Sequence, residues 1–150
     1  LNDNGFLPDD TVNVSENHLT FRNAQQVTIE LHKKLFVHDE SFYERYNDLF
    51  SNVYDDAVLI NINDVDIRTF NYTDNILYLI LHSLKHFTSS GVGIRQLCDI
   101  ILFADKYDDC IDWDKLYSGC ASVNAEYYAA AIFRIGKTIW VNIYLNSKAI

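Results

Sequence analysis

A chain of 150 residues that is 49% hydrophobic and 14% aromatic has enough apolar side chain to bury the core of one compact domain, which excludes a disordered polypeptide. Its formal net charge of -9 and pI near 4.8 repel phosphate backbones, so duplex nucleic acid is not an expected partner. The longest apolar run, Ile76 to Leu84, is broken by His82 and falls short of the roughly 20 residues that cross a bilayer, so no membrane association is expected.

A polar leader comes first, with the only proline, Pro8, and Asp9-Asp10. His18 to Phe21 and Val27 to Leu31 are short alternating or β-branched runs that predict two strands joined across Asn23-Ala24-Gln25-Gln26. Ser41 to Tyr46 predicts a short amphipathic helix, with Ser41 as N-cap and Glu44 completing a capping box. Val58, Ile60, Ile62, Val65 and Ile67 favour extended structure.

From Thr73 the pattern turns helical. Thr73 or Asp74 is placed to cap a helix in which Ile76, Leu77, Leu79, Ile80, Leu81 and Leu84 are apolar almost all round, as in a central helix buried between neighbours. Two glycines in Thr88 to Gly93 permit a sharp reversal. A second helix is predicted from Ile94 to about Lys106, a third from Trp113 capped by Asp112, and a fourth from Ala125 to about Tyr144 capped by Asn124. The expected class is therefore α+β, with a few hairpin-like N-terminal strands followed by a mainly helical bundle of about four helices. Residues 1–72 form the strand-containing part and residues 73–150 a helical part packed on it as one unit.

Three cysteines, Cys98, Cys110 and Cys120, make an odd count without paired spacing. Unpaired, mostly sequestered thiols in a reducing, cytoplasmic setting are expected. Methionine is absent, even at position 1, so Leu1 is expected to lie inside a longer gene product.

The sharpest chemical signal is His82-Ser83-Leu84-Lys85-His86, followed past the glycine turn by Arg95 and Asp99. Helical spacing puts His82 and His86 on one face, and Arg95 and Asp99 on one face of the next helix. The functional reading is a nucleotide or anion site in which Lys85 and Arg95 are cationic donors and Asp99 orients Arg95 or an imidazole. A purely structural reading is a buried polar network that sets helix register. Two histidines four apart also suggest a histidine-metal hydrolase. Ser83 stands where the H-E-x-x-H class needs its glutamate, and Lys85 is unfavourable to a dication. Glu30 and His32 share one face of a predicted strand, in Ile29-Glu30-Leu31-His32. Asp64-Val65-Asp66 imitates a metal-binding D-x-D pair, but a surface turn rich in Asn61, Asn63 and Asp64 accounts for it. Trp113 is expected as a core anchor, and Tyr127-Tyr128 and Ile132-Phe133 as packing residues.

These islands taken together, Ile29-Glu30-Leu31-His32, the H-x-x-K-H helix His82 to His86, Arg95, Asp99-Ile100 and Asp112-Trp113, resemble the uncharacterised nucleotidyltransferases of the polymerase-β-like superfamily. The resemblance implies magnesium-dependent transfer of a nucleoside monophosphate from a nucleoside triphosphate to an unknown acceptor. It also implies that Glu30 is the catalytic carboxylate of a third metal-binding position, and that His32, His82, Lys85, His86, Arg95 and Asp99 lie on the nucleotide side. A glycine-rich turn with D-x-D should precede Glu30, whereas residues 1–29 hold only Gly5 and Asp9-Asp10, so the chain is expected to lack the catalytic D-x-D strand and to be inactive alone. The competing reading is a non-catalytic helical binding or regulatory domain.

Overall fold

The computed structural model describes residues 5–8, 18–32, 34–36 and 42–147, and the chain divides into two compact units, residues 1–47 and 48–150. In the first unit, β1 (Leu7–Pro8), β2 (His18–Arg22) and β3 (Thr28–His32) form an antiparallel sheet in the order β1-β2-β3. The connection expected at Asn23–Gln26 forms as a tight loop. Asn23 Oδ1 accepts from Val27 N at 2.9 Å, and Gln26 takes the left-handed conformation at φ 62. The register pairs Thr20 with Glu30 and His18 with His32, leaving Leu19, Phe21, Ile29 and Leu31 on the opposite face. That apolar face is covered at one end only. Phe21 and Ile29 are half-buried, while the cross-strand pair Leu19 and Leu31 stays 43% and 45% exposed. Leu31 therefore does not anchor β3 in a core, as the alternation alone suggests.

Ser41 lies outside the described residues, but Glu44 does occupy the first turn of α1 (Phe42–Leu49). Asn47 fastens this helix to the preceding segment. Its Oδ1 accepts from Phe36 N at 3.0 Å, and its Nδ2 donates to Phe36 O at 2.9 Å. Phe36, Tyr43 and Tyr46 pack edge to face around that clasp and are buried.

The second unit opens with a hairpin of β4 (Val58–Ile62) and β5 (Val65–Thr69). Asn63 and Asp64 form its two-residue loop, both at positive φ, which suits the right-handed strand twist. Asn61 holds the loop by accepting from Asp64 N at 3.2 Å and donating to Asp66 Oδ1 at 2.7 Å. Asp64 is thus a turn residue, and Asp66 has its own side-chain partner.

Behind the hairpin lie α2 (Tyr72–Ser89), α3 (Ile94–Lys106), a 3₁₀ turn at Asp108–Cys110, α4 (Trp113–Ser122) and α5 (Glu126–Ser147). The α+β class, with antiparallel strands towards the N-terminus and a mainly helical C-terminal region, is as expected, although α1 stands between β3 and β4 in chain order. The α2 helix packs on α3 and α4, and α5 packs on α3 and α4. Ile76, Ile80 and Leu81 of α2 are 0% exposed, so the all-round apolar pattern does mark the central helix. Its N-cap is neither Thr73 nor Asp74 but Asn71, whose side chain accepts from Asp74 N and donates to Asp74 Oδ2, both at 2.8 Å. The two expected caps serve elsewhere. Thr73 Oγ1 accepts from Asp112 N, and Asp74 Oδ1 pairs with Lys115 Nζ at 2.9 Å. Of the two turn glycines only Gly91 has positive φ, at 89, closing α2 with its N–H on His86 O. Gly93 has φ -79 and starts α3.

Asp112 caps α4 as expected, accepting from Lys115 N at 2.9 Å. Asn124 does not cap α5: at φ 59 it closes the end of α4, and α5 begins at Glu126. The α3 and α5 helices approach closely at Gly136, where an added Cβ would meet Ile101 Cγ1 at 2.7 Å. No helix among the described residues is long and apolar enough to cross a membrane.

All three cysteines are free, but they are not uniformly sequestered, because Cys110 sits in the exposed 3₁₀ turn while Cys120 is buried. Burial, reinforced by the Glu126 carboxylate, pushes the Cys120 thiol up to about 11. Its folded-state value lies above the ordinary thiol value of 9.0, so the protonated thiol stabilises the fold below that value, and the contribution is lost as pH rises towards 11. At about pH 8 a thiol-alkylating reagent is expected to label Cys110 first and Cys120 last. Peptide mapping of the labelled protein checks this, and equal rates would contradict the burial of Cys120.

Candidate functional site

Residues 78, 82 and 86 of α2 are four apart and so stack along one helical face. His82 Nε2 and His86 Nε2 are 3.0 Å apart, and His82 Nδ1 lies 3.5 Å from Tyr78 OH. Between two imidazole nitrogens at that separation, one must donate its proton and the other must be bare, so the pair holds a single shared proton along the contact. The rings stack edge to face at 4.6 Å, with all three side chains half-buried. This is the face that the histidine spacing predicts. Burial raises the Tyr78 hydroxyl above its ordinary value, so at neutral pH it stays a phenol able to donate towards His82.

The same α2 segment carries Lys85, half-buried, and α3 carries Arg95 and Asp99, both exposed. No hydrogen bond or ion pair joins Lys85, Arg95 or Asp99 to the histidines or to one another among the described residues. Arg95 stands in the first turn of α3, where the helix dipole disfavours a cation, and that turn has no acidic residue and no side-chain cap. Arg95 is exposed there and has no ion-pair partner among the described residues, so its guanidinium is open to an anion.

In the other unit, Glu30 and His32 of β3 do share a face, with His32 Nε2 3.3 Å from Glu30 Oε2. Both are about half exposed, so their mutual attraction is weak in stability terms. Glu30 is a hard oxygen donor of the kind a divalent ion takes, but a single carboxylate does not build a metal site. Among the described residues no three His, Cys, Asp or Glu side chains group to hold a metal ion. This bears on the histidine-metal hydrolase as well, since His82 and His86 have no third ligand beside them in that set.

Sequence reasoning missed a hollow of about 310 Å³ beside Tyr78, walled by Tyr54, Arg68, Phe70 and Asn75. Phe70 stacks on Phe50 at 6.0 Å, and both meet Tyr78 edge to face. The hollow offers one cation, one amide and aromatic walls. The legible signal was Tyr78 itself, one helical turn before His82. Arg68, on a short strand without a motif, gave none.

No curated protein and no solved structure matches the chain significantly. The profile of the family described as uncharacterised nucleotidyltransferase matches residues 1–139, spanning both the Glu30 strand and the His82 helix, and the chain belongs to that family.

Proposed function

We propose that the chain is part of an enzyme that transfers a nucleoside monophosphate from a nucleoside triphosphate to an acceptor. The observation that carries this reading is the family match over residues 1–139. In such a transfer an acceptor oxygen forms a bond to the α-phosphorus, the bond to the β-phosphate oxygen breaks, and pyrophosphate leaves with the electron pair as the acceptor loses its proton. A bound divalent ion such as magnesium would supply charge neutralisation for the triphosphate. The described residues do not assemble a site for it, so no step is routed through one.

What this chain supplies is binding and positioning. Lys85 and Arg95, without carboxylate partners among the described residues, are cations free to meet phosphate oxygens. The His82–His86 pair, with its 3.0 Å contact, and His32 join them on the nucleotide side, and Glu30 is the catalytic carboxylate. Free thiols throughout support a reducing, cytoplasmic location. Lys85→Ala is expected to raise the KM for nucleoside triphosphate by about 10-fold, the loss of one charge-assisted contact, with little change in melting. Steady-state kinetics of the full-length protein test it, and an unchanged KM would remove Lys85 from the binding surface.

The alternative, a non-catalytic binding domain, is favoured by the lack of a metal-ligand cluster among the described residues. It predicts triphosphate binding without turnover.

A further inference from the structure

Several aromatic side chains stay in solvent. Trp113, expected as a core anchor, is 39% exposed, and Tyr127, expected as packing, is 83% exposed. The indole is nevertheless engaged: its Nε1 donates to Asp108 O at 3.3 Å, and its ring meets Phe133 edge to face at 5.7 Å. Tyr54 differs. It is 70% exposed and stands at the hollow of about 310 Å³ whose other lining residues are Arg68, Thr69, Phe70, Asn75 and Tyr78.

The inner wall of this hollow is set in place before any ligand arrives. Phe70 lies within 21° of parallel to Phe50, and both rings meet Tyr78 edge to face, so each fixes the others. Burial keeps Tyr78 a neutral phenol, so no like charge opposes an anion from that wall. The polar groups are reachable. Asn75 is half-buried, yet neither polar atom of its side chain is shut off from solvent, and neither has a hydrogen-bond partner among the described residues. Arg68 is exposed and is the only charged side chain in the lining. The residue across the hairpin from it is Leu59, whose side chain offers no acceptor, and Asp66, on the same face of β5, is held by Asn61 Nδ2 at 2.7 Å. Arg68 accordingly has no ion pair among the described residues.

A guanidinium beside aromatic faces is complementary to an anionic group carried on a flat ring, since its fork pairs two oxygens at once while the ring packs on the wall. Volume sets the size. At about 310 Å³ the hollow is at the lower end of the range of about 300–1,000 Å³ for small-molecule sites, which suits one ring with one anionic substituent and not a base, ribose and triphosphate together. We infer that the hollow between β5 and the first turns of α2 is a binding site for a small aromatic anion, an aryl carboxylate or an aryl phosphate, with Arg68 taking the anionic oxygens and Tyr54, Phe70 and Tyr78 taking the ring. Asn75 supplies a second hydrogen-bonding group in the same wall. The site does not rest on the nucleotide reading, because none of these residues is assigned to it.

Isothermal titration of the full chain with phenylacetate, phenyl phosphate, benzyl alcohol and benzylammonium tests the assignment. At least one of the two aryl anions is expected to bind one-to-one and about 10-fold or more tightly than benzyl alcohol, the value of one charge-assisted hydrogen bond, and the tighter of the two identifies the ligand class. Benzylammonium should not bind. Acetate and inorganic phosphate, which lack the ring, should bind at least about 10-fold more weakly than the aryl anion. Arg68→Gln should erase the preference of anion over alcohol, and Tyr54→Ala should weaken the aryl anion by about 3-fold or more. Both residues are exposed, so thermal melts of the variants should match the parent. Failure of both aryl anions to bind, equal affinity for anion and alcohol, or a preference that survives Arg68→Gln would each overturn the inference. So would ring-free anions that bind as tightly as the aryl anions, or an affinity left unchanged by Tyr54→Ala, since either outcome takes the ring out of the hollow.

Discussion

Glu30→Gln in the full-length gene product is expected to lower nucleoside triphosphate turnover by about 10²- to 10³-fold, the cost typical of removing one group that stabilises transition-state charge. The substitution keeps shape and removes charge. Because Glu30 is exposed on β3 and its only partner among the described residues is the half-exposed His32, the melting temperature should scarcely move. The measurement pairs steady-state turnover with thermal melts. Equal turnover in parent and variant would take Glu30 out of the mechanism, and a large drop in melting temperature would recast it as a structural residue.

Ile80→Ala should have the largest effect on stability. Ile80 is 0% exposed in the middle of α2, the helix that packs on both α3 and α4, so truncation leaves a cavity where the surroundings are least able to collapse. A loss of about 3 kcal/mol is expected, lowering the melting temperature by about 10 °C in a chain of this size. Denaturant unfolding with an unchanged slope checks the energy. A loss below about 0.5 kcal/mol, the range of ordinary surface substitutions, would contradict the placement of the core on α2.

Both predictions depend on features that differ in how far the sequence discloses them. The α3 helix begins at Ile94 and ends at Lys106, as its apolar spacing and flanking glycine indicate, and the strand pair at residues 18–32 follows from alternation. Helix caps were harder. Thr73 and Asp74 look like caps by residue type, yet Asn71 holds that position because Asp74 is drawn into the ion pair with Lys115, a tertiary contact about 40 residues away that no local pattern reveals. Asn124 was similarly ambiguous, since asparagine suits both an N-cap and a left-handed helix end, and the backbone chose the latter.

For the candidate site, what lies within one element was legible and what lies between elements was not. The spacing of His82 and His86 alone places their imidazoles together, and the alternation of β3 alone places Glu30 beside His32. Arg95 and Asp99 share a helix at the same four-residue spacing but form no ion pair, because both point into solvent, where such a pair gains little. The hollow beside Tyr78 joins residues from β5, the segment before β4 and α2, so only the folded chain discloses it.

The central claim is group transfer from a nucleoside triphosphate, and the position of a radiolabel tests it most directly. Full-length protein incubated with acceptor-containing extract, divalent ion and nucleoside triphosphate should transfer label from the α-phosphate, release pyrophosphate, and transfer none from the γ-phosphate. Transfer of γ-label would make the chain part of a kinase-type enzyme, and saturable triphosphate binding without release of pyrophosphate would make it a binding domain.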